Sequence, residues 1–318
     1  METTIKKTAV NSVMLEGYLK ETTLELKRTA SGRDSIQGQI IVAVSDTEDY
    51  RARFISMKTN AQGMPVKNYD TLCGFLPNNV ISISSLLQAN PSSKFDTVKD
   101  QATKIYIYGS FETYDKKDER GVITTTVTIR GQKCGIKSEQ KPFNPHARFE
   151  VNGYVDGIKD EREKNSGEPT GRKLLNLLVP DYFNEVVYPI DFICENEVSI
   201  NSINNYSRGD SGFFVGSLKN IKEEEVVSTT TRQMASGGDY TKNKKAYSFI
   251  NERIIDDMES SPFSLENSEY ISAEEVKKFS ANRVSKLEAL EVTATKTDSY
   301  GHGPMGSEAA KAASDFAL

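Results

Sequence analysis

Tyrosines alternate with isoleucines in the segment KIYIYGSFETY, and this spacing places useful side chains on one face. In an extended strand, Tyr106 and Tyr108 would point one way and Ile105 and Ile107 the other. Exposed aromatic rings can stack on nucleic-acid bases, and each stack contributes roughly 1–3 kcal/mol. The same rings could instead pack beneath residues 69–99 of the chain. The segment therefore predicts an aromatic wall that is either open to a ligand or covered.

Basic residues are grouped in a similar way, and their charges suit phosphate groups. In YRARFISMKT, Arg51 and Arg53 would share one strand face, with Tyr50 and Phe54 on the other. The other basic candidates are Lys116, Lys117, Arg130, Arg172, Lys173, Lys219, Lys242, Lys244 and Lys245. The further aromatic candidates are Tyr18, Tyr154, Phe213, Phe214 and Tyr240. Because the basic hairpins also carry acids, they fit a phosphate contact and a plain solvated turn equally well.

The segment NYSRGDSGFFVGSL combines a turn with a strand. Arg208-Gly209-Asp210 predicts the turn, since Gly209 can adopt backbone conformations closed to other residues. Phe213 and Phe214 are neighbours on the strand that follows, so they must face opposite sides. One of the two rings is expected in the core, and the other is a candidate for stacking.

Most of the first 250 residues predict β-strands in a repeated unit. Segments such as SIQGQIIVAV and GVITTTVTIRG are rich in β-branched residues and are bounded by Gly, Asp or Asn. VMLEGYLKE at 13–21 recurs as FEVNGYVDG at 149–157, and each copy leads to a later strand around a glycine, Gly109 or Gly216. The copies differ by an insertion at about 69–99, which predicts a short helix and a loop.

The chain is therefore expected to be mostly β, with two copies of one small β-domain, each a barrel or a sandwich, and a C-terminal extension. The first copy is predicted at residues 1–140 and the second at 147–253. Residues 254–318 are expected to form an acidic linker, a short helix at about 273–291 and a flexible tail.

The predicted C-terminal helix carries an apolar stripe. Ser272 and Glu275 have the spacing of a capping box at its start. The stripe at helical spacing consists of Val276, Phe279, Leu287 and Leu290. It predicts either a docking face for a partner or packing onto the chain's own barrel.

Charge and composition limit the classes of function. The net charge is −5, but residues 254–318 carry 12 acidic against 6 basic residues, so residues 1–253 total +1. Two histidines, three scattered cysteines and the lack of a phosphate loop or nucleophile motif argue against an enzyme, a metal or a cofactor. Because neither a signal peptide nor a membrane-length apolar run is present, we expect a cytoplasmic protein.

The order of these motifs resembles the oligonucleotide/oligosaccharide-binding (OB) fold and, more narrowly, single-stranded DNA-binding proteins. NSVMLEGYLKE is similar to their first strand, and NYSRGDSGFFVGSL is similar to the entry of their fourth. The resemblance implies two tandem OB-fold-like five-stranded barrels. The arrangement over residues 10–292, including the tail helix, resembles tandem-OB proteins of tailed phages. This chain departs from the usual pattern in having no tryptophan, which leaves stacking to Tyr and Phe, and in ending on SDFAL, with a single acid.

The resemblance implies a non-enzymatic protein that binds single-stranded DNA mainly without sequence preference. It would protect the strand during phage replication or recombination in the cytoplasm of a bacterial host. Its C-terminal region would recruit replication or recombination proteins, and no membrane partner is expected. The alternative is a scaffold whose OB-like barrels make protein–protein contacts. Balanced charge over residues 1–253 favours the scaffold, whereas the basic patch Lys242–Tyr247 favours DNA.

Overall fold

Strands dominate the computed structural model. The structure describes residues 10–29, 31–163, 166–233 and 239–290, and within these ranges it describes all side chains except those of residues 223–247. The strands are β1 (Asn11–Thr22), β2 (Glu25–Arg28), β3 (Asp34–Ala43), β4 (Asp49–Met57), β5 (Lys104–Lys117), β6 (Ile123–Ile136), β7 (His146–Arg162), β8 (Pro169–Pro180), β9 (Val187–Cys194), β10 (Ser211–Gln233) and β11 (Asp239–Met258). The helices are α1 (Lys67–Cys73), α2 (Ile83–Ala89), α3 (Phe95–Val98), α4 (Glu197–Ile203) and α5 (Ala273–Glu288). Within these described ranges, every helix is too short or too polar to cross a bilayer. The expected fold class, mostly β with a C-terminal helix, is confirmed.

The first barrel is a closed ring of strands in the order β1–β3–β4–β6–β5–β1. All neighbours are antiparallel except β4 and β6, which run parallel. Strand alternation decides which side chains fill the ring. Ile105 and Ile107 are buried inside it, and Tyr50 and Phe54 point inward from β4. This ring is the five-stranded OB-like barrel expected for the first half of the chain.

The second barrel repeats the same ring as β7–β8–β9–β11–β10–β7. Again one pair is parallel, β9 with β11. The two barrels also bulge at matching places, between Leu19 and Glu21 in β1 and between Val155 and Gly157 in β7. These bulges are 136 residues apart, which is the offset of the sequence repeat. The repeat is therefore a repeat of structure, including its irregularities.

The two glycines marked by the repeat lie where neighbouring strands approach closely. A Cβ atom at Gly109 would overlap the carbonyl oxygen of Arg130, and one at Gly216 would overlap that of Ile254. Both glycines coincide with a β-bulge in the barrel. A larger residue at either position would separate the paired strands, so the close approach itself requires glycine.

β1 also pairs with β7, and this pairing joins both barrels in one 11-stranded sheet. In it, Val13 lies opposite Phe149, its own counterpart in the repeat. A local two-fold axis therefore relates the two first strands through this pair. Phe111 of the first barrel packs against Phe149 and Phe192 of the second, with ring centroids 5.7 and 6.0 Å apart. The two cores are continuous.

The inserted segment between β4 and β5 holds α1, α2 and α3, and it covers the outside of β1. Tyr18 is buried there, with its ring centroid 6.0 Å from Phe95 and 5.1 Å from Phe143. The insertion leaves Tyr108 on β5 exposed over 43% of its surface, so the covered alternative is wrong for this ring. In the second barrel, the matching connection is α4.

The C-terminal elements differ slightly from expectation. β11 continues five residues beyond the predicted end of the second barrel, because Ile254 and Ile255 are buried and pair in parallel with β9. α5 begins where predicted and ends at Glu288. The capping box is confirmed: Ser272 accepts from the Glu275 N–H, and its own N–H donates to the Glu275 carboxylate.

Candidate nucleic-acid interface

One outer face of the first barrel forms an open groove. In OB barrels, oligonucleotides bind to the face of the second and third strands and to the flanking hairpins. In this barrel those strands are β3 and β4, flanked by the β1–β3 connection and the β5–β6 hairpin. We call the groove across this face the Arg53 groove. It is lined by Thr23, Glu25, Lys27, Gln37, Gly38, Gln39, Arg53, Phe54, Ile55, Glu112 and Arg130.

Arg53 lies in the middle of three adjacent strands. In the strand register it is opposite Gln39 of β3 on one side and Arg130 of β6 on the other. Alternation along β4 turns Arg51, Arg53 and Ile55 outward, because the residues between them fill the core. The predicted shared face of Arg51 and Arg53 is thus the outer face of β4, and Arg53 lines the groove together with the predicted Arg130.

Tyr114 on β5 supplies an aromatic face to this arrangement. Its side chain is 47% exposed, and the guanidinium carbon of Arg53 lies 4.6 Å from the centroid of its ring. This cation–π contact holds the ring in place at the groove. A ring fixed in this way can receive a flat ligand without first losing rotational freedom.

The arginines of this face differ from the lysine of the groove, because Lys27 forms an ion pair with Glu25 at 2.5 Å. Among the residues that the structure describes, no carboxylate lies within ion-pair distance of Arg51 or Arg53. Arg130 approaches Glu112 at 3.8 Å, and both side chains are partly exposed, so this pair contributes little and a phosphate can compete for the arginine. Each of the three arginines can therefore contact a phosphate group.

The predicted lysines of the β5–β6 hairpin extend this basic surface. Lys116 is exposed and Lys117 is half-buried, both beyond Tyr114 on β5. Tyr106 and Tyr108 lie on the other half of β5, where it pairs with β1, and they are not among the lining residues of the groove. Their rings contact each other at 5.7 Å.

The corresponding surface of the second barrel is neutralised by ion pairs. Arg172 contacts Glu161 at 2.6 Å, Glu252 at 3.0 Å and Glu195 at 3.5 Å. The hydrogen bonds from Arg172 hold the pKa of Glu161 below its usual value of 4.5. Arg172 is therefore surrounded by carboxylates, and a DNA phosphate would have to displace them.

Two of the predicted lysines of this barrel, Lys173 and Lys219, are also engaged within the chain. Lys173 contacts Asp160 at 3.1 Å, and Lys219 contacts Glu195 at 2.6 Å. The sequence prediction treated these lysines and the arginines of β4 alike. The structure separates them, because only the arginines are without an acidic neighbour among the described residues.

Two of the predicted stacking residues, Tyr18 and Phe214, are buried. The prediction is wrong for Tyr18, which lies under α2 and α3. Phe214 is 0% exposed in the core, where it contacts Tyr206 at 5.5 Å, which confirms that one of the two adjacent rings is a core residue and removes Phe214 as a stacking candidate. Phe213 is half-buried on the opposite face of β10. Tyr154 is also half-buried, and it lies beside the turn that precedes β10.

The apolar stripe of α5 packs onto the chain itself. Val276 and Phe279 are buried, so a docking role for a partner is wrong for these two residues, and the alternative of packing onto the chain's own barrel holds. Leu287 and Leu290 are half-buried. The helix contacts β9 of the second barrel.

Four predicted residues lie outside the part of the chain whose side chains are described: Tyr240, Lys242, Lys244 and Lys245. The strand that carries them pairs with β10 in a long hairpin. The base of this hairpin is anchored to the first barrel. The Tyr50 hydroxyl donates to the carbonyl of Leu218, and the amide of Asn220 donates to the carbonyl of Asp49, both at 2.5 Å.

Sequence reasoning missed four aromatic residues that are exposed in the described part of the chain, Tyr114, Tyr182, Phe183 and Phe249 on β11. Tyr114 continues the alternation of Tyr106 and Tyr108 after a bulge, and that extended pattern could have identified it. Tyr182 and Phe183 form a pair in the β8–β9 turn, where no periodic signal exists.

The described residues contain little that could support catalysis. Within them, no group of three or more His, Cys, Asp or Glu side chains is placed to hold a metal ion. Cys134 and Cys194 are buried, and burial raises the pKa of the Cys134 thiol to about 12, so it stays protonated and unreactive.

The chain is similar to a protein family and to solved structures. A family model described as YorF matches residues 9–293 of the chain. No curated protein matches it. Two solved structures of the single-stranded DNA binding protein from Thermus aquaticus are similar to it over 82% of its length. The wild-type protein shares 13% identity over 97% of that chain, with a TM-score of 0.45. A deletion mutant shares 12% identity over 99% of that chain, with a TM-score of 0.44.

Proposed function

The chain belongs to the YorF family, and we propose that it binds single-stranded DNA along the Arg53 groove. The observation that carries the proposal is the pair of arginines, Arg51 and Arg53, which have no acidic partner among the described residues and lie on the same barrel face as the exposed ring of Tyr114. Backbone phosphates require cations, and unpaired bases require flat rings. The groove offers both within three neighbouring strands.

The groove favours single-stranded over duplex DNA, and its side chains do not strongly select a particular base sequence. Bases in a duplex are stacked on one another, so Tyr114 could contact them only at an edge. The amides of Gln37 and Gln39 line the groove and can both donate and accept, which lets them adapt to different bases. Bound in this way, the protein would protect single-stranded DNA during replication or recombination.

A salt titration of oligo-dT binding tests the proposal. The log of the binding constant should fall linearly with log salt, with a slope of about −0.7 for each phosphate contacted on a single strand. Contacts from Arg51, Arg53 and Arg130 together predict a slope of about −2. Between 50 and 200 mM salt, affinity measured by fluorescence anisotropy should therefore fall by about twenty-fold.

The control is a duplex of the same length and composition, which should bind more weakly at each salt concentration. An absence of oligo-dT binding at the lowest salt would refute the proposal. It would favour the alternative in which the barrels form a scaffold for protein contacts. Binding that is tight but independent of salt would refute the assigned role of the arginines.

A further inference from the structure

Two aromatic rings project from the second barrel at the turn between β8 and β9. Tyr182 is 51% exposed and Phe183 is 57% exposed, and their ring centroids lie 5.3 Å apart at an angle of 88°. The carboxylate of Asp181 closes the turn by accepting from the N–H groups of Glu185 and Val186. Large aromatic side chains gain free energy when they are buried, so a fixed and exposed pair marks a contact surface.

The cleft beside this turn is continuous with the Arg53 groove. Arg130 and Glu112 line both, so they form the border that a ligand would cross between them. On the far side of the border the cleft is lined by Gln132 of the first barrel and by Tyr182 and Phe183 of the second. A strand that leaves the Arg53 groove past Arg130 would therefore meet an amide and then two exposed rings.

α5 holds the two walls of this cleft at a fixed separation. On one side, the amide of Asn282 donates to the carbonyl of Glu185 in the turn at 2.8 Å. On the other, Arg283 donates to the Thr113 hydroxyl at 2.7 Å and forms an ion pair with Asp115 at 2.9 Å. The side chains of this ion pair are only 12% and 14% exposed, so water competes weakly for them. The aromatic turn is thus pre-positioned beside the first barrel, which lowers the entropy lost on binding.

We propose that Tyr182 and Phe183 form a stacking platform for unpaired bases of the strand that occupies the Arg53 groove. The inference rests on the proposed function and extends it, since it carries the path of the strand from the first barrel to the second. The occupant is a base rather than a protein side chain because the cleft continues a groove lined by arginines. The Arg130 guanidinium and the Gln132 amide line the cleft and are groups that meet phosphates and base edges, while its carboxylates are engaged within the chain, Asp181 by the N–H groups of the turn and Glu112 by Arg130.

The absence of tryptophan from the chain provides a direct test. The variant Phe183→Trp carries a single tryptophan in the platform, and its fluorescence should be quenched when a base stacks on it. An oligo-dT of about 20 nucleotides is longer than one OB barrel typically covers, so it should reach the turn. The matched control is Val198→Trp on α4, where the replaced residue is 60% exposed and lies outside both clefts.

Anisotropy and tryptophan emission should be measured in the same titration, so that each proposal can fail separately. Quenching in Phe183→Trp, with little change in Val198→Trp, supports the platform. Binding by anisotropy without quenching overturns the platform and leaves the proposed function intact. No binding overturns both. A change in emission with protein concentration alone, before DNA is added, would instead identify the pair as a contact between copies of the chain.

An affinity measurement provides independent support. Tyr182→Ala/Phe183→Ala should weaken binding of the long oligo-dT by about five-fold or more, which corresponds to the loss of at least one stack. The exchange Tyr182→Phe/Phe183→Tyr keeps both rings and should bind as the unchanged chain does. Equal affinities for all three proteins would also overturn the platform.

Discussion

Replacing Arg53 with glutamine isolates the electrostatic part of the proposed DNA contact. Arg53→Gln removes one charge from the groove and keeps a polar side chain, and the position is exposed, so the barrel should fold normally. Loss of the cation–π contact also frees the Tyr114 ring, but the cost of ordering that ring on binding does not depend on salt, so the salt-dependent part of the change isolates the charge of Arg53. The expected effect is therefore that of one phosphate contact. At 0.1 M salt this corresponds to about five-fold weaker binding.

The assay is anisotropy of labelled oligo-dT over a series of salt concentrations. Arg53→Gln should lower the magnitude of the salt slope by about 0.7, from about 2 to about 1.4. The two proteins should then converge in affinity as the salt concentration approaches 1 M. A five-fold loss that persists at all salt concentrations would show that Arg53 acts through structure, and it would refute the reasoning from free charge.

Arg172→Gln is the matched control, because it removes the same charge from the other barrel. Arg172 is held by Glu161 and Glu252, so its loss should leave DNA affinity nearly unchanged. It should instead lower the free energy of unfolding by about 1.5–3 kcal/mol, the range for hydrogen bonds between charged groups. Equal losses of affinity in the two variants would contradict the assignment of the groove to the first barrel.

Two further predictions concern stacking and pH. Tyr114→Ala should weaken oligo-dT binding, measured by anisotropy, by about 1–3 kcal/mol and leave the salt slope unchanged. The control Tyr114→Phe should bind as the unchanged chain does. A changed salt slope in Tyr114→Ala would mean that the ring acts by positioning Arg53. Because the pKa of Glu161 is lowered on folding, its contribution to stability is present above about pH 4.5 and is lost as the pH falls through the lower folded value. Urea unfolding should therefore show the chain more stable than Glu161→Gln at pH 7, with the difference shrinking below pH 4.5; a constant difference would contradict the linkage.

Local patterns in the sequence were sufficient to predict a repeated β-domain, and the resemblance to the OB fold indicated that each copy closes into a barrel. Alternation alone placed Arg53 outward and Phe54 inward, because a strand with one buried face leaves no other choice of register. Gly109 and Gly216 marked the repeat correctly, since both strands make the same close approach. The capping box at Ser272 was also readable, because its partner lies three residues away.

The candidate site was only partly predictable, because it depends on contacts between distant residues. Nothing near Arg172 in sequence shows that Glu252, 80 residues away, neutralises it. Tyr18 resembles an exposed ring by alternation, but it is covered by the inserted helices and by Phe143. Phe214 could be told from Phe213 only once the pairing of β10 with β7 and β11 was known.

The two barrels share a fold but differ in the chemistry of their surfaces, and under the proposed function the two barrels make different kinds of contact with DNA. On the first barrel, Arg51 and Arg53 have no acidic neighbour among the described residues, while Arg172, Lys173 and Lys219 of the second are paired with carboxylates. The second barrel contributes instead the exposed rings of the β8–β9 turn, across the border formed by Arg130. Charge contacts therefore determine the salt slope from one barrel, and stacking on the other adds affinity only for strands long enough to cross. For this reason a change in salt slope and a change in length dependence distinguish which barrel a substitution has affected.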